Sequence, residues 1–352
     1  MDTRSRQDPV EQVYDARIRG VCLIGTRAGT RQHLHGGCWV TPTAHRPPRL
    51  AVSFPKEFEG AAIVRRGGAF AVSLVAEDER ELNDALFSGR HSLDALGRGR
   101  FLRATSGCPV LAGAVGYFDC RLAEAVEFPD FLLAVGDVRA AAVLHPERRN
   151  LTVNEIQRRG VPEPAAAVLP LKGFDDLGPE LPDAPVQGGD PAIVEAVYAR
   201  RRWGLFLAAA RAGNAERVEV CGWAVQCSHE PPRMLACLGR GGAAADLVRR
   251  HGRFSLSLLG EDQLPLALRV RGGAGAPADL DGARWRREGE DPPFLEDAVA
   301  HFTCAVEGEI GGDTDFAGFH GPVVGFGWGR REAAQLRTDQ LAAGEAGARP
   351  AP

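Results

Sequence analysis

Three hydroxyl side chains and a lysine lie close together in the sequence and could jointly bind a phosphate. The hydroxyls of Thr41, Thr43 and Ser53 can donate hydrogen bonds to phosphate oxygens or to the carbonyl groups of a flat ring. Lys56 precedes a predicted helix that begins near Phe58, so its ammonium and the helix N-terminus could converge on one dianion. Strand hydroxyls and a solvated lysine are the alternative interpretation.

The chain contains one sequence pattern twice. Residues 10–78 align with residues 194–262 at a constant offset of 184 without a gap, and the offset persists as far as Cys120 and Cys304. A repeat this long exceeds a solenoid unit, so each copy should be a whole domain. Two fused like domains predict a pseudo-dimer within one chain, because a two-fold interface would otherwise join two chains.

The second copy retains the apolar pattern but loses the polar set. Arg240 stands in place of Lys56, and all three hydroxyl residues are replaced. The replacements are Val225, Cys227 and Cys237. Loss of three donors should abolish a phosphate site, since each contributes roughly 1–3 kcal/mol toward a charged ligand. The sequence therefore predicts that the second copy binds no phosphate and has a structural role beside the first copy.

Glycines and histidines also distinguish the two copies. Gly36-Gly37 would let the backbone approach a flat ligand or a phosphate closely. His33 and His35 lie beside these glycines in the first copy alone, which makes them the histidine candidates for the site. His45 recurs as His229 in the copy that lost the polar set, so a structural hydrogen bond is expected there.

Length and composition indicate the number of domains and argue against several kinds of binding partner. The 352 residues suit two domains of roughly 150 residues each. A net charge of −4, from 46 acidic and 42 basic residues, gives no basic footprint for nucleic acid. Eight single cysteines without a Cys-x-x-Cys pair argue against zinc or iron–sulfur sites and predict buried, reduced thiols. Without a long apolar stretch or an apolar leader, no membrane partner is expected, and the predicted location is cytoplasmic.

Short apolar runs rich in β-branched and aromatic residues predict five or six strands in each copy. In the first copy these runs are Val21–Thr26, Leu50–Phe54, Phe70–Val75, Val115–Glu124 and Phe131–Leu144. Helical periodicity covers Phe58–Gly67 and Glu79–Leu86, and helix starts are predicted at Asp8 and Asp190. The fold class is therefore mainly β with flanking helices, built around small barrels.

The repeat and the composition also set the predicted domain boundaries. The first barrel covers 8–154, and a Pro-rich linker covers 155–189. The second, degenerate barrel covers 190–341, and a disordered tail covers 342–352.

Seven motifs occur in order across nearly all of residues 15–145. They are Cys38-Trp39-Val40-Thr41-Pro42-Thr43, Arg46-Pro47-Pro48-Arg49-Leu50, Ala51-Val52-Ser53-Phe54-Pro55-Lys56, Phe70-Ala71-Val72-Ser73-Leu74, Phe87-Ser88-Gly89, Pro109-Val110-Leu111 and Gly136-Asp137-Val138. Together they resemble the flavin reductase-like family, whose fold is an FMN-binding split β-barrel. The spacing is most similar to the flavin reductase domain fused to flavodiiron proteins. The resemblance implies two tandem split β-barrels of Greek-key type.

The same resemblance implies an FMN site in the first copy. Its candidate cofactor-binding residues are His35, Gly36, Gly37, Cys38, Trp39, Val40, Thr41, Thr43, Ser53, Phe54, Pro55 and Lys56. Family dimers bind FMN at the subunit interface, so the second copy is expected to close the pocket of the first. No catalytic residue and no metal ligand is assigned.

The chain departs from the family pattern at several positions. Gly36-Gly37-Cys38 stand where the family often has Thr-Ala-Ser, and Glu59 stands where a hydroxyl residue is common. Phe131 occupies the position at which members that use NAD(P)H commonly carry a histidine. Its counterpart in the second copy is Phe316, with His320 nearby. Slow reduction by NAD(P)H is therefore expected.

Two functional hypotheses follow from the resemblance. The first is an NAD(P)H-dependent flavin reductase that passes electrons through FMN to free flavin or to a partner such as a flavin-dependent monooxygenase. FAD or riboflavin is an alternative as a dissociable substrate. The second hypothesis is a non-catalytic FMN-binding protein or a flavin-free scaffold. The sequence does not choose between NADH and NADPH.

Overall fold

The computed structural model describes residues 19–79, 82, 100–158, 181–273 and 275–342. The helix start predicted at Asp8, most of Glu79–Leu86 and the motif Phe87-Ser88-Gly89 lie outside the described residues. The central part of the predicted linker and the predicted tail also lie outside them. The described residues fall into two compact units, 19–202 and 203–342.

The first unit is built on an antiparallel sheet of seven strands in the order β2-β1-β5-β8-β9-β4-β3. These strands are β1 (Cys22–Ala28), β2 (Arg31–Gly37), β3 (Val40–His45), β4 (Pro48–Pro55), β5 (Ala69–Leu74), β8 (Gly116–Glu127) and β9 (Phe131–Val143). A separate hairpin pairs β6 (Phe101–Arg103) with β7 (Pro109–Leu111). The five predicted runs are confirmed as β1, β4, β5, β8 and β9, but the predicted number of five or six strands is too low, because the described residues of this unit also form β2, β3, β6 and β7, which are short or rich in polar residues, Gly and Pro. The core side of the sheet includes Phe54, which lies edge-on to Phe70 at 5.9 Å.

Helix α1 (Glu59–Gly67) connects β4 to β5 and confirms the predicted helix in this region. It buries Ile63 and Val64 and ends at Gly68, whose φ of 64° is left-handed. A β-branched or bulky residue would be strained at this position, so glycine lets the chain leave the helix and enter β5 directly. A second helix in this unit, α2, covers Val153–Arg158.

Helix α3 (Pro191–Tyr198) starts as predicted, because the Asp190 carboxylate accepts a hydrogen bond from the Ala192 N–H at 2.7 Å. The repeat assigns this helix to the second copy, yet it packs on the first sheet. Its Tyr198 ring lies 4.9 Å from the ring of Phe118 in β8. The chain just before α3 also pairs with the first unit, since the Arg103 N–H donates to the Pro182 carbonyl at 2.8 Å.

The second unit repeats the same strand order, β11-β10-β14-β17-β19-β13-β12. An additional strand, β18, pairs with β19 outside this order. Its strands are β10 (Phe206–Ala212), β11 (Ala215–Cys221), β12 (Ala224–Ser228), β13 (Arg233–Gly239), β14 (Arg253–Leu258), β15 (Trp285–Arg286), β16 (Phe294–Leu295), β17 (Ala300–Ala305), β18 (Gly308–Ile310) and β19 (Phe316–Trp328). Its helices are α4 (Ala243–His251) and α5 (Leu264–Arg271). The duplicated, mainly β architecture predicted from the sequence is confirmed.

Seven of the eight cysteines are buried, Cys38 is half-buried, and all eight are free thiols. This confirms the expectation that they pack as small apolar groups. Within the described ranges, every helix falls short of the length and apolarity that a membrane span requires. The same ranges contain no group of three or more potential metal-ligating side chains.

Candidate functional site

The three predicted hydroxyls lie on β3 and β4, and all three are buried. Thr41 is opposite Ala51, which shares a face of β4 with Ser53, so Thr41 and Ser53 lie on the same side of the sheet. Thr43 lies at a β-bulge, between the positions where Pro42 and Ala44 pair with β4. The Oγ atoms of all three hydroxyl residues have no hydrogen-bond partner in the structure.

The surface around these hydroxyls is apolar. Ser53 is opposite Leu133 in β9, and Ala51 is opposite Val135. All three of these apolar neighbours are fully buried. A buried hydroxyl without a partner loses its hydrogen bonds to water without compensation, at a cost of roughly 1–3 kcal/mol. Thr41 and Ser53 therefore form a donor pair on one face of adjoining strands that is suited to a polar ligand, and Thr43 adds a third unpaired hydroxyl at the bulge of β3.

An aromatic pair adjoins the hydroxyl set. The rings of Trp39 and Phe131 lie 4.7 Å apart, and the Trp39 carbonyl accepts a hydrogen bond from the Ser53 N–H at 3.0 Å. The second copy repeats this pair, with Trp223 and Phe316 4.6 Å apart. Since the pair persists where the hydroxyls are lost, it contributes to the scaffold of both barrels.

The structure gives Lys56 a partner within its own barrel. Its Nζ lies 2.7 Å from Oε2 of Glu127 at the end of β8, and Arg65 contacts the same carboxylate. Partial burial raises the pKa of Glu127, but hydrogen bonds from Lys56 and Arg65 outweigh it and hold that pKa below its usual value. The first turn of α1 contributes a carboxylate of its own, Glu59, which pairs with Arg31 at 3.0 Å. An incoming phosphate would have to replace Glu127 at Lys56.

His35 lies on the opposite face from the hydroxyls. Its ring is 5.3 Å from that of Phe54 and 6.1 Å from that of Phe58, so it lies in the core near α1. Ser53 and Phe54 are consecutive in β4 and therefore point to opposite faces. The structure does not bring His35 or Phe54 together with the hydroxyl set.

His33 lies beside His35, with a ring separation of 5.4 Å. Both side chains are buried, and none of their ring nitrogens has a hydrogen-bond partner. Burial lowers the pKa of His33 to about 4, although Glu59 opposes the shift. Burial and then the proximity of His33 hold the pKa of His35 well below its usual value. Both rings are therefore neutral near pH 7.

The remaining candidates lie at strand ends. Gly36 and Gly37 close β2, and a Cβ on Gly37 would lie 2.8 Å from Cδ1 of Ile24, so packing within the barrel accounts for that glycine. Val40 is buried in β3, and Pro55 is opposite Phe131 at the end of β4. Half-buried Cys38 packs against an apolar cluster of the first unit.

In the second barrel, the positions of the three hydroxyl residues carry other side chains. Val225, Cys227 and Cys237 are buried at the positions of the three hydroxyls. Arg240 is held by its own barrel, since it donates to the carbonyls of Thr314 at 2.7 Å and Phe316 at 2.9 Å. The arginine that replaces Lys56 therefore fixes the start of β19.

His45 has the structural role expected from its repetition. Its Nδ1 lies 3.0 Å from Oε2 of Glu195 in α3, and Nδ1 of His229 lies 3.3 Å from Nε2 of Gln226. The contact between His45 and α3 is not predictable from the position of His45 alone, because the two lie 150 residues apart in the chain. A signal was available in Glu195, which the repeat retains as Glu11.

Comparison with known proteins gives two matches to one family model. The model for the flavin reductase like domain matches residues 16–161 and again residues 203–338. An NADH-dependent FMN reductase of Methylorubrum populi is 31% identical over 155 residues, which cover 42% of this chain and 74% of that protein. A diflavin flavoprotein of Nostoc is 28% identical over 144 residues, which cover 40% of this chain and 25% of that protein.

Among solved structures, the NADH:FAD oxidoreductase SgcE6 of Streptomyces globisporus is 23% identical, with a TM-score of 0.37. The match covers 42% of this chain and 88% of that chain. The chain spans only a quarter of the length of the Nostoc flavoprotein. The family resemblance noted for the first copy is confirmed, and the family model extends it to the second.

Proposed function

Because this chain belongs to the flavin reductase-like family, we propose that its first barrel binds FMN and passes electrons from NAD(P)H to free flavin or to a partner such as a flavin-dependent monooxygenase. One observation carries the proposal: Thr41, Thr43 and Ser53 are buried hydroxyls without partners. Buried polar groups in native proteins are nearly always paired, so an unpaired set indicates a ligand that pairs it. The NADH-dependent FMN reductase among the relatives supports the same cofactor pair.

The residues present fit FMN. The three hydroxyls can donate to phosphate oxygens or to ring carbonyls, and their apolar surroundings exclude water that would compete for them. The adjoining ring of Trp39 offers an apolar surface to a flat ligand. Bound FMN would supply hydride acceptance and electron release, while the protein supplies binding and orientation.

Lys56 and Glu127 give this proposal an electrostatic test. If the flavin phosphate replaces Glu127 as the ion-pair partner of Lys56, the Glu127 carboxylate competes with the ligand for the Lys56 ammonium. Lys56→Ala should then weaken FMN binding by roughly 1.5–3 kcal/mol, and Glu127→Gln should strengthen it. Equal FMN affinity in both variants and in the native protein would remove Lys56 from the site.

The second barrel is proposed to have a structural role and to bind no flavin. It replaces the three hydroxyls with apolar or weakly polar side chains, and Arg240 is held by backbone carbonyls. The pairing of the two copies within one chain and the cytoplasmic location stay predictions.

The deciding experiment is titration of the purified full chain with FMN, followed by anaerobic addition of NADH or NADPH. We expect saturable FMN binding and bleaching of the flavin absorbance. Ser53→Ala should weaken FMN binding about tenfold or more, whereas Cys237→Ala at the matched position should leave it unchanged. Absence of FMN binding by the native chain, or equal losses in the two variants, would contradict the proposal.

A non-catalytic flavin-binding protein is the second candidate, and Phe131 favours it. Its ring is 5% exposed and packs on Trp39, so it offers no hydrogen bond to a nicotinamide. The same titration separates the candidates. Flavin that binds but does not bleach with NADH or NADPH supports the second one.

A further inference from the structure

In the first unit, part of the linker, residues 182–188, lies along one edge of the barrel and bonds to β9 through its backbone. The Ala141 N–H in β9 donates to the Gly188 carbonyl at 2.8 Å. The Ala141 carbonyl accepts a hydrogen bond from the Gln187 N–H at 3.2 Å. The linker therefore extends the pairing of β9 in the way that an added strand does.

Two side chains also hold this stretch of the linker. The Tyr117 hydroxyl in β8 donates to the Pro185 carbonyl at 2.8 Å, and the Val143 N–H in β9 donates to Oε1 of Gln187 at 3.1 Å. Ala141 is completely buried as a result. The first barrel thus shows how this edge of the fold binds an extended chain.

In the second unit, Phe326 of β19 occupies the position of Ala141. Ala141 is opposite Phe118 in β8, and Phe326 is opposite Phe302 in β17. Phe118 and Phe302 are related by the offset of 184, and a β-bulge precedes both positions at the same place in the register. The N–H and C=O groups of Phe326 therefore face the same edge as those of Ala141.

This edge of β19 is open in the part of the chain that the structure describes. Strand β13 pairs with β19 as far as Pro322, and the Val323 N–H then donates to the Pro232 carbonyl at 2.9 Å. Beyond Val323, no described segment bonds to this side of β19. The Phe326 side chain is 38% exposed. An unpaired edge with an exposed apolar side chain can receive an added strand.

A donor also recurs at the position of Tyr117. The offset of 184 places His301 there, and its ring stacks on that of Phe294 at 3.8 Å. The ring also lies against β19, because a Cβ on Gly327 would be 2.7 Å from its Cε1. An imidazole N–H can donate to a peptide carbonyl as the Tyr117 hydroxyl does.

Arg331 adds a positive charge at the end of the open edge. Its guanidinium lies 4.8 Å from the ring centre of Trp328, which occupies the position of Val143. Arg331 is exposed, and among the described residues no carboxylate pairs with it. A carboxylate would therefore be favoured where the linker presents the amide of Gln187 to Val143.

The two edges differ in the arginine that an incoming carboxylate would meet. In the first unit, Asp183 of the linker pairs with Arg103 at 2.7 Å. In the second unit, Arg287 takes the position of Arg103 and is already paired with Glu216 of its own barrel at 2.7 Å. The charge that awaits a partner is therefore that of Arg331.

We propose that the open edge of β19, residues 324–328, binds an extended acidic segment of a partner protein. The segment adds to β19 as the linker adds to β9, through backbone hydrogen bonds to Phe326. An apolar residue of the segment covers the Phe326 ring, and a carboxylate pairs with Arg331. This role in recognition does not depend on flavin binding by the first barrel.

A synthetic peptide tests the proposal on the full chain. The peptide has the sequence of residues 181–189 with Gln187→Glu, which supplies the carboxylate for Arg331, and it carries a fluorophore. Fluorescence anisotropy should show saturable binding, and the peptide without the substitution should bind about two- to fivefold more weakly. Arg331→Ala should abolish this difference. The control Arg250→Ala, which removes an exposed arginine of α4, should preserve it.

Phe326→Asp should weaken binding of the acidic peptide about fivefold or more, because it removes the apolar contact and repels the carboxylate. This position is exposed, so the fold should tolerate the change. Hydrogen exchange followed by mass spectrometry locates the peptide. Bound peptide should slow exchange in residues 323–329 and leave residues 138–144 unchanged.

Several results would overturn the proposal. Absence of saturable binding is one, and equal effects of Arg331→Ala and Arg250→Ala are another. Slower exchange in residues 138–144 instead of 323–329 would show that the peptide displaces the linker from the first barrel. Strong protection of residues 323–329 without peptide would show that the chain itself covers the edge, or a second copy of it if the protection is lost on dilution.

Discussion

Replacing Thr41 with valine should make the flavin-free protein more stable and weaken its affinity for FMN. Thr41 is fully buried in β3, and its Oγ1 has no hydrogen-bond partner. Valine has nearly the same shape, and the second barrel carries Val225 at the matched position. The substitution therefore removes one polar atom without changing the packing of the strand.

The magnitude follows from the unpaired hydroxyl. Burying such a group costs roughly 1–3 kcal/mol, so its removal should raise the free energy of unfolding by about 1–2 kcal/mol. For a unit of this size that corresponds to a rise of roughly 2–8 °C in the thermal midpoint. Loss of the hydrogen bond to a charged ligand should weaken FMN binding about tenfold or more. Thermal denaturation without flavin and fluorescence titration with FMN measure the two effects.

Ser73 provides a matched control in the same barrel. Its Oγ accepts a hydrogen bond from the Leu111 N–H at 3.0 Å, and the side chain is 1% exposed. Ser73→Ala should lower the free energy of unfolding by roughly 1–3 kcal/mol, because it leaves a buried N–H unpaired, and FMN affinity should not change. The reasoning is refuted if Thr41→Val lowers stability, or if it leaves FMN affinity unchanged.

Three further predictions concern other positions. Phe131→His should lower the KM for NADH or NADPH, because an imidazole can hydrogen-bond the carboxamide; a native KM in the micromolar range would contradict the argument. The first barrel should lose roughly 2 kcal/mol of stability between pH 7.5 and pH 5 because of His33. Its pKa of about 4 in the folded protein lies below the unfolded value, so the unfolded chain takes up a proton as the pH falls while the folded chain does not. Urea unfolding at the two pH values measures this loss, and His33→Leu should reduce it. Arg240→Ala should destabilise the second barrel by roughly 2 kcal/mol and leave FMN affinity unchanged, which calorimetry with and without FMN can check.

The faces of the strands show what tertiary structure adds to a sequence prediction. Strand alternation places Ser53 and Phe54 on opposite sides of β4 whatever the fold. Which side becomes the core depends on α1 and β2, whose His35 packs against Phe54. His35 is near the hydroxyls in sequence, and only the packing of distant elements separates it from them.

The duplication, the family, the hydroxyl residues and five strands of the first barrel can be predicted from the sequence, because identities at a constant offset and short apolar runs are visible in the sequence without any knowledge of packing. The pairing of Lys56 with Glu127 and the packing of α3 on the first barrel are visible only in the folded structure. Both contacts join residues far apart in the chain. Their partners are chosen by how strands and helices come together, which neither composition nor spacing encodes.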